Sequence, residues 1–319
     1  MPENIMRSRI AGPREWPTLL LVVLVSAGMA LAYPAFRTAA NLTTVGQNAA
    51  FIGIMACGQS LVVLSAGLDL SVGSVLALSG CATAEALQRG IAWPVAALIG
   101  LMAGALAGGV NGALITYRRL PPILTTLATL LLFRYGTHIL TGARNYGPFP
   151  EAFNTIGNGW TPLFLLLIVT ALCTLMTLRT RFGRQVIAIG GNEQAVRLSG
   201  VDVDRIKRRV YTLSGLCAAL GGLIVMAFNN NTQSNVGQGY ELDVIAACVV
   251  GGIRITGGEG SLPGAALGAL LIALLRDALI LTGRPTEQYG LFTGAVILLA
   301  AGLERWRARQ QERARRVNG

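Results

Sequence analysis

The chain has 319 residues, of which 53% are hydrophobic and only 13% charged, with a mean hydropathy of +0.57. Soluble domains carry about a quarter charged residues, so this composition excludes a soluble globular protein. Continuous apolar runs exclude an outer-membrane barrel, which alternates at every second position, and a net charge of +11 clustered between and after those runs requires no nucleic-acid partner.

The first apolar run, 16–36, follows Arg7, Arg9 and Arg14. Its Ala30–Ala32 resembles a signal-peptidase site, but the run is longer than a typical signal core and reads as a retained span. About 20 apolar residues cross the hydrocarbon, and further spans are expected at 45–64, 71–88, 92–116, 121–141, 161–178, 211–228, 243–256, 262–282 and 288–304. The predicted fold is therefore all-α and polytopic, about ten transmembrane helices in a single domain over 1–319. Two pieces are awkward: 243–256 is short for a crossing, and 71–88 begins beside Asp69. Each belongs to a hairpin, 45–88 or 243–282, that returns to its starting side.

Lysine and arginine set the orientation. With a cytoplasmic N-terminus, segments 1–15, 117–120, 179–210 and 305–319 hold 3, 2, 8 and 6 basic residues, 19 of the 26. The opposite loops hold Arg37, Arg89, Arg144 and Arg284, one each. Both termini are thus expected in the cytoplasm, as basic tails at 1–15 and 305–319.

The awkward hairpins share a pattern. Gly67-Leu68-Asp69-Leu70-Ser71 and Gly252-Ile253-Arg254-Ile255-Thr256 are each followed by glycine, serine and a helix of small residues. Matching glycine-interrupted segments suit two pseudo-repeated halves of a transporter, and they make Asp69, Ser71, Gly73, Arg254 and Thr256 candidates for a broken-helix translocation path. A carboxylate at the bilayer centre costs about 2.5–3.5 kcal/mol on insertion scales. Asp69 therefore has three readings: capping the helix 71–88 with help from Ser71, contacting a polar solute, or coupling to protons.

Gly100, Gly104, Gly108 and Gly112 recur every four residues, a bare helical stripe that lets another backbone approach. It serves either internal packing or a seam between subunits. Arg134 and His138 lie four apart on one face, as a proton relay or as plain hydrogen-bonding groups. The five cysteines, scattered through apolar segments with no CxxC pair, read as small buried residues, and no metal site is expected.

Segment 179–210 is basic, as an inside loop should be, yet too patterned for a tether. Asn192 caps a short helix, Glu193–Ser199, with Glu193 at its positive end; Gly200 stops it, and Asp202 begins a second helix that feeds the span from Tyr211. Such a helix, held between two spans, suits docking to a cytoplasmic partner through Asn192, Glu193, Ala195, Arg197, Ser199, Gly200 and Asp202. On the opposite side, the loop 229–242 is polar. No P-loop lysine exists, since Lys207 lies between Ile206 and Arg208, and neither HExxH nor GxSxG occurs. No cofactor and no enzymatic centre are expected.

"GLDLSVGS" (67–74), "LPPILTTLATL" (120–130), "FGRQVIAIGGNEQAVRLSGV" (182–201), "YTLSGLCAALGGL" (211–223) and "VIAACVVGGIRITGGEGSLPGAALGALL" (244–271) occur in order across almost the whole chain. In these the chain resembles the membrane permease subunits of bacterial ABC importers for ribose and related monosaccharides. The resemblance implies a ten-helix permease of the inner membrane, paired with a second permease subunit. It also implies a cytoplasmic ABC ATPase, which carries the ATP and Mg, docked on 179–210, and a periplasmic sugar-binding protein expected to meet the outside loops 142–160 and 229–242. Arg254 and Thr256 depart from the less charged stretch expected there. The competing reading is an ion-coupled secondary transporter or facilitator using Asp69, Glu85, Arg134 and His138.

Overall fold

The computed structural model describes residues 15–284 and, beyond them, 288–291, 293–295, 298 and 302. Among the described residues it is helical, with a single antiparallel bridge, Tyr146 to Thr232, outside the helices. The helices are α1 (Trp16–Ala32), α2 (Ala39–Leu64), α3 (Val72–Gln88), α4 (Trp93–Tyr117), α5 (Pro122–Thr141), α6 (Glu151–Asn154), α7 (Thr161–Arg179), α8 (Arg181–Gly191), α9 (Glu193–Leu198), α10 (Val203–Asn229), α11 (Tyr240–Val250) and α12 (Leu262–Leu281). A 3-10 turn, Pro34–Arg37, joins α1 to α2. The expected tails lie outside the described residues, apart from Glu15, and the span 288–304 is described only in part.

Among the described residues six helices, α2, α4, α5, α7, α10 and α12, are long and apolar enough to cross a membrane by length and composition. α1 is apolar but has 17 residues, and α11 has 11, about 16 Å at 1.5 Å per residue. The predicted span 243–256 is corrected accordingly: the helix begins earlier, at Tyr240, and stops at Val250. Gly251 and Gly252, the latter at φ +85°, end it, and an irregular loop runs to Ser261. The span expected at 45–64 starts at Ala39, where the Thr38 hydroxyl accepts the Asn41 N–H. The span expected from Tyr211 is the continuation of one 27-residue helix, α10.

The bundle is layered by burial rather than by hydropathy. In its most apolar stretch α2 is 94% buried at a hydropathy of 1.4, whereas α7 is 17% buried at 2.2. α2 is the central post, packed against α10, α12, α7 and α11. α5 and α7 turn Leu131, Leu132, Leu140, Phe164, Leu167 and Leu172 outward, as lipid-facing helices do. All five cysteines are free, four of them buried and Cys173 half-buried.

The glycine stripe of α4 lies inside the subunit, where it brings α4 onto α3 and α10. A Cβ on Gly100 would strike Ser79 and Thr83 of α3; one on Gly104 would fall 2.6 Å from the Gly215 carbonyl; one on Gly112 would fall 2.8 Å from Arg208 Cα. Gly108 faces the Tyr211 carbonyl with no room for a methyl group, whereas beside it Gly109 has only the Thr212 hydroxyl, at 3.6 Å. Overpacking costs about 1–3 kcal/mol or more. Gly108→Val should therefore lower the thermal unfolding temperature of the detergent-solubilised protein sharply, and Gly109→Val should leave it near that of the parent.

Candidate functional site

One end of the bundle, here the basic end, gathers residues 118–121, 179–210 and 251–261. Thr180 opens α8 by accepting the Gly183 N–H at 3.1 Å. Phe182, Val186 and Ile189 form its inner face, and Gly190 packs on the Leu64 carbonyl at the foot of α2. Sequence reasoning left this helix inside the larger segment, although Thr180 and the 182-186-189 spacing were its signals.

Asn192, in extended conformation, accepts the Ala195 N–H at 3.0 Å and starts α9. The helix is one residue shorter than expected, ending at Leu198 with Ser199 as its cap residue. Gly200 turns the chain at φ +82°, a conformation suited to glycine. Asp202 accepts the Arg205 N–H at 2.9 Å and begins α10. Ala195, Arg197, Ser199, Gly200 and Asp202 are exposed, and Leu198 is 90% exposed, an apolar knob at the end of the helix.

A network of charges ties this helix down. Glu193 pairs with Lys207 at 2.6 Å and with Arg197 at 2.9 Å; Arg197 reaches Asp204 at 3.0 Å; Asp204 also receives Arg119 at 2.8 Å. Burial alone would raise the Glu193 carboxyl, but the hydrogen bonds and charges of Lys207 and Arg197 outweigh it and hold the group below the usual carboxylate range. Asp204 and then Glu193 raise the Arg197 guanidinium further still.

Asp69 lies in the irregular stretch between α2 and α3 and is 1% exposed. Its Oδ1 accepts the Ser71 N–H at 2.9 Å and the Ser71 hydroxyl at 2.6 Å, and its Oδ2 accepts the Ser214 hydroxyl from α10 at 3.0 Å. Asn111 of α4 donates to the Ser71 oxygen at 2.8 Å. In the orientation that satisfies both partners, the Gln59 amide donates to the Asp69 carbonyl and accepts its N–H, each at 3.2 Å. Through its carboxylate, its backbone and Ser71, Asp69 thus draws α2, α4 and α10 around the start of α3. Buried polar groups need such partners. Gln59, Asn111 and Ser214 were not singled out from sequence; isolated polar residues in apolar runs were the signal.

Gly73 sits elsewhere, pressed against Gly237 and Glu241. Nor does the second hairpin place its charge beside Asp69. Arg254 is partly exposed and pairs with Glu259 at 3.2 Å, and Thr256 is exposed at the basic end. The two loops do meet, through Gly258 N–H to the Leu64 carbonyl at 3.0 Å and through Gly257 packed on Ala66. Glu15 accepts the Ser261 hydroxyl, and Thr18 donates to the Val250 carbonyl at 2.7 Å, so α1 is pinned to the same loop.

At the other end, 142–160 and 229–239 are bound to each other. Tyr146 and Thr232 exchange backbone hydrogen bonds, and Asn230 accepts the Phe149 N–H at 2.8 Å. The segment expected as a polar docking loop folds back among the helices: Thr232 and Ser234 are 1% and 3% exposed, and Gly237 packs on Gly73. Arg134 of α5 donates to the carbonyls of Ser234 at 3.0 Å and Val236 at 2.5 Å, and His138 Nδ1 lies 2.8 Å from the Ser234 hydroxyl. Only part of 229–242 is surface, because these side chains draw it inward.

No relay joins the four residues of the competing reading. Asp69 is held by serines and Arg134 by carbonyls, while Glu85 pairs with Arg89 and Tyr146. Two further intramembrane charges went unpaired in the sequence reading. Arg276 of α12 lies over the rings of Tyr240 and Tyr289, 5.4 and 4.7 Å from their centroids, and Asp243 is near Thr293 at 3.3 Å.

Residues 41–301 match the model of a family described as branched-chain amino acid transport system / permease component. The ribose import permease protein RbsC of Escherichia coli (strain K12) is 37% identical over 301 residues, covering 91% of this chain and 92% of that protein. The protein of the same name from Bacillus subtilis (strain 168) is 35% identical over 298 residues, 90% of each chain. The fructose import permease protein FrcC of Rhizobium meliloti is 32% identical over 311 residues, 93% of this chain and 86% of its own. With residues 41–301 matched by the family model and relatives above 30% identity covering about nine-tenths of the chain, the chain belongs to the branched-chain amino acid transport system / permease component family.

Proposed function

We propose that the chain is the transmembrane permease subunit of an ATP-driven ABC importer of the bacterial inner membrane, carrying a ribose-like or related monosaccharide. The observation that carries the reading is the likeness, over about nine-tenths of each ribose relative, to proteins named for ribose import; the fructose permease widens the class to monosaccharides. The basic end is then cytoplasmic, by the positive-inside bias, with both termini on that side. Ten spans in two pseudo-repeated halves fit the two loop-broken hairpins.

The site supports a division of labour. A periplasmic sugar-binding protein delivers solute to the surface around 142–160. A cytoplasmic ABC ATPase, which carries ATP and Mg, seats α9 and its exposed Leu198. Two permease subunits rock about a central path between them. Specificity resides mainly in the binding protein, since a tight midplane site would slow release. Asp69, Ser71 and Gly73 serve this motion by fixing the broken entry to α3.

In proteoliposomes, entry of labelled ribose or fructose should require the permease, the ATPase, the cognate binding protein and ATP together. Entry at full rate through the permease alone would overturn the reading.

A further inference from the structure

We infer that Asp204, Arg119 and Arg134 form a mechanical linkage through α5, so that displacement of the docking helix α9 at the cytoplasmic end is carried to the segment 234–236 at the opposite end. The inference rests on the docking role proposed above and assigns positioning roles to three residues that touch neither solute nor nucleotide.

The first joint is the Asp204 carboxylate, which accepts Arg197 of α9 at 3.0 Å and Arg119 at 2.8 Å on the same oxygen. Asp204 stands in the first turn of α10, whose next turn carries Lys207, bound to Glu193. α9 is thereby tied to α10 twice, and α10 to the α4–α5 turn once, through the shared Asp204 oxygen. Lys207, the only lysine, is 15% exposed, whereas its partner Glu193 is 40% exposed.

The second part is stiff. Arg119 holds φ +54° and is followed, after Leu120, by Pro121 and Pro122, which fix their own φ and open α5 with little torsional slack. The helix then runs unbroken to Thr141. Twelve residues separate Pro122 from Arg134, about 18 Å of rigid helix.

The third part is the upper joint. Arg134 donates to two carbonyls of one loop, at Ser234 and Val236, and His138 one turn further reaches the Ser234 hydroxyl. A guanidinium grips a loop through two acceptors with fixed geometry. Gly237, the next residue, packs on Gly73 at the start of α3, so the gripped loop borders the broken-helix region. Exposed ion pairs add little stability; the value of this set is that one oxygen bridges two elements otherwise separated in the chain.

The test uses the complete complex in proteoliposomes and reads sugar moved per ATP hydrolysed, together with retention of the ATPase on purification. Asp204→Asn and Arg134→Met should each keep the ATPase bound and hydrolysing while sugar moved per ATP falls about fivefold. A purely structural role would lower assembly and hydrolysis together instead. Arg119→Cys with Asp204→Cys should be uncoupled as dithiol and recover to within about twofold of the parent when bridged by a short bis-thiol reagent. A ratio unchanged in Asp204→Asn, or equal in the bridged and unbridged pair, overturns the linkage. If Asp204→Asn fails to accumulate, the cysteine pair decides, since one protein is compared with itself. Failure of the parent chain to retain any ATPase would instead sink the docking reading.

Discussion

Reconstituted with its ATPase and binding protein, the Arg197→Glu, Gly200→Pro double variant should hydrolyse ATP yet import sugar at least about tenfold more slowly than the parent. Gly200 holds φ +82° between α9 and α10, and proline is locked near −65°, so the turn that presents α9 cannot form. Arg197 is the hub of the network, touching both Glu193 and Asp204; a carboxylate there would put three negative groups together with only Lys207 and Arg119 to offset them. The membrane-embedded helices keep most of their contacts, because α9 packs chiefly on α8 and on the first turns of α10. Import at parental rate with hydrolysis intact would show that α9 is not where force enters.

Asp69→Leu should have the largest effect on stability. It removes the acceptor of three donors in a dry pocket: the Ser71 N–H, the Ser71 hydroxyl and the Ser214 hydroxyl. Each buried donor left unsatisfied costs about 1–3 kcal/mol, against a total stability of about 5–15 kcal/mol for ordinary domains. Little folded protein should be recovered, and its thermal unfolding in detergent should shift down markedly. Asp69→Asn retains size and one acceptor oxygen and should fall between parent and leucine variant. A leucine variant as stable as the parent would show that the carboxylate is not a structural hub and would turn attention back to solute contact.

Much of this was legible in the sequence for definite physical reasons. Long apolar runs announce themselves, so α4, α5, α7 and α12 fell within one residue or so of their expected bounds. The start of α9 was readable because Asn192 and Glu193 are local signals whose meaning does not depend on distant contacts.

What escaped depended on partners far away in the chain. The first three turns of α2 carry Asn41, Thr43, Thr44, Gln47 and Asn48, which dilute the apolar signal; Thr43, Thr44 and Asn48 bond carbonyls of their own helix, and Asn41 donates to Asp277 of α12 at 2.9 Å. The stretch 230–239 looked like a surface loop because it is polar, and only Arg134 and His138 reveal that it folds inward. α11 was drawn too long because Val249, Val250 and Ile253 are apolar, whereas Gly251 and Gly252 decide the backbone. The Gly-x-charge-x-hydroxyl likeness of the two hairpins was real as sequence but placed its charges in different surroundings, one buried among serines and one paired with Glu259 near the surface.

The contrast between α2 and α7 bears on how the chain is made. α2 is synthesised early and carries Gln47, Gln59 and Ser60 in positions that are almost fully enclosed. Ser60 donates to the Ala56 carbonyl within the helix, but alone in a bilayer the two glutamines would offer their amides to hydrocarbon. The helices that enclose it, α10 and α12, leave the ribosome much later, so α2 must linger at the edge of the membrane or beside the insertion machinery until they arrive. Biogenesis of this fold is therefore a wait followed by a closing-in, and its most vulnerable moment comes before the last third of the polypeptide has emerged.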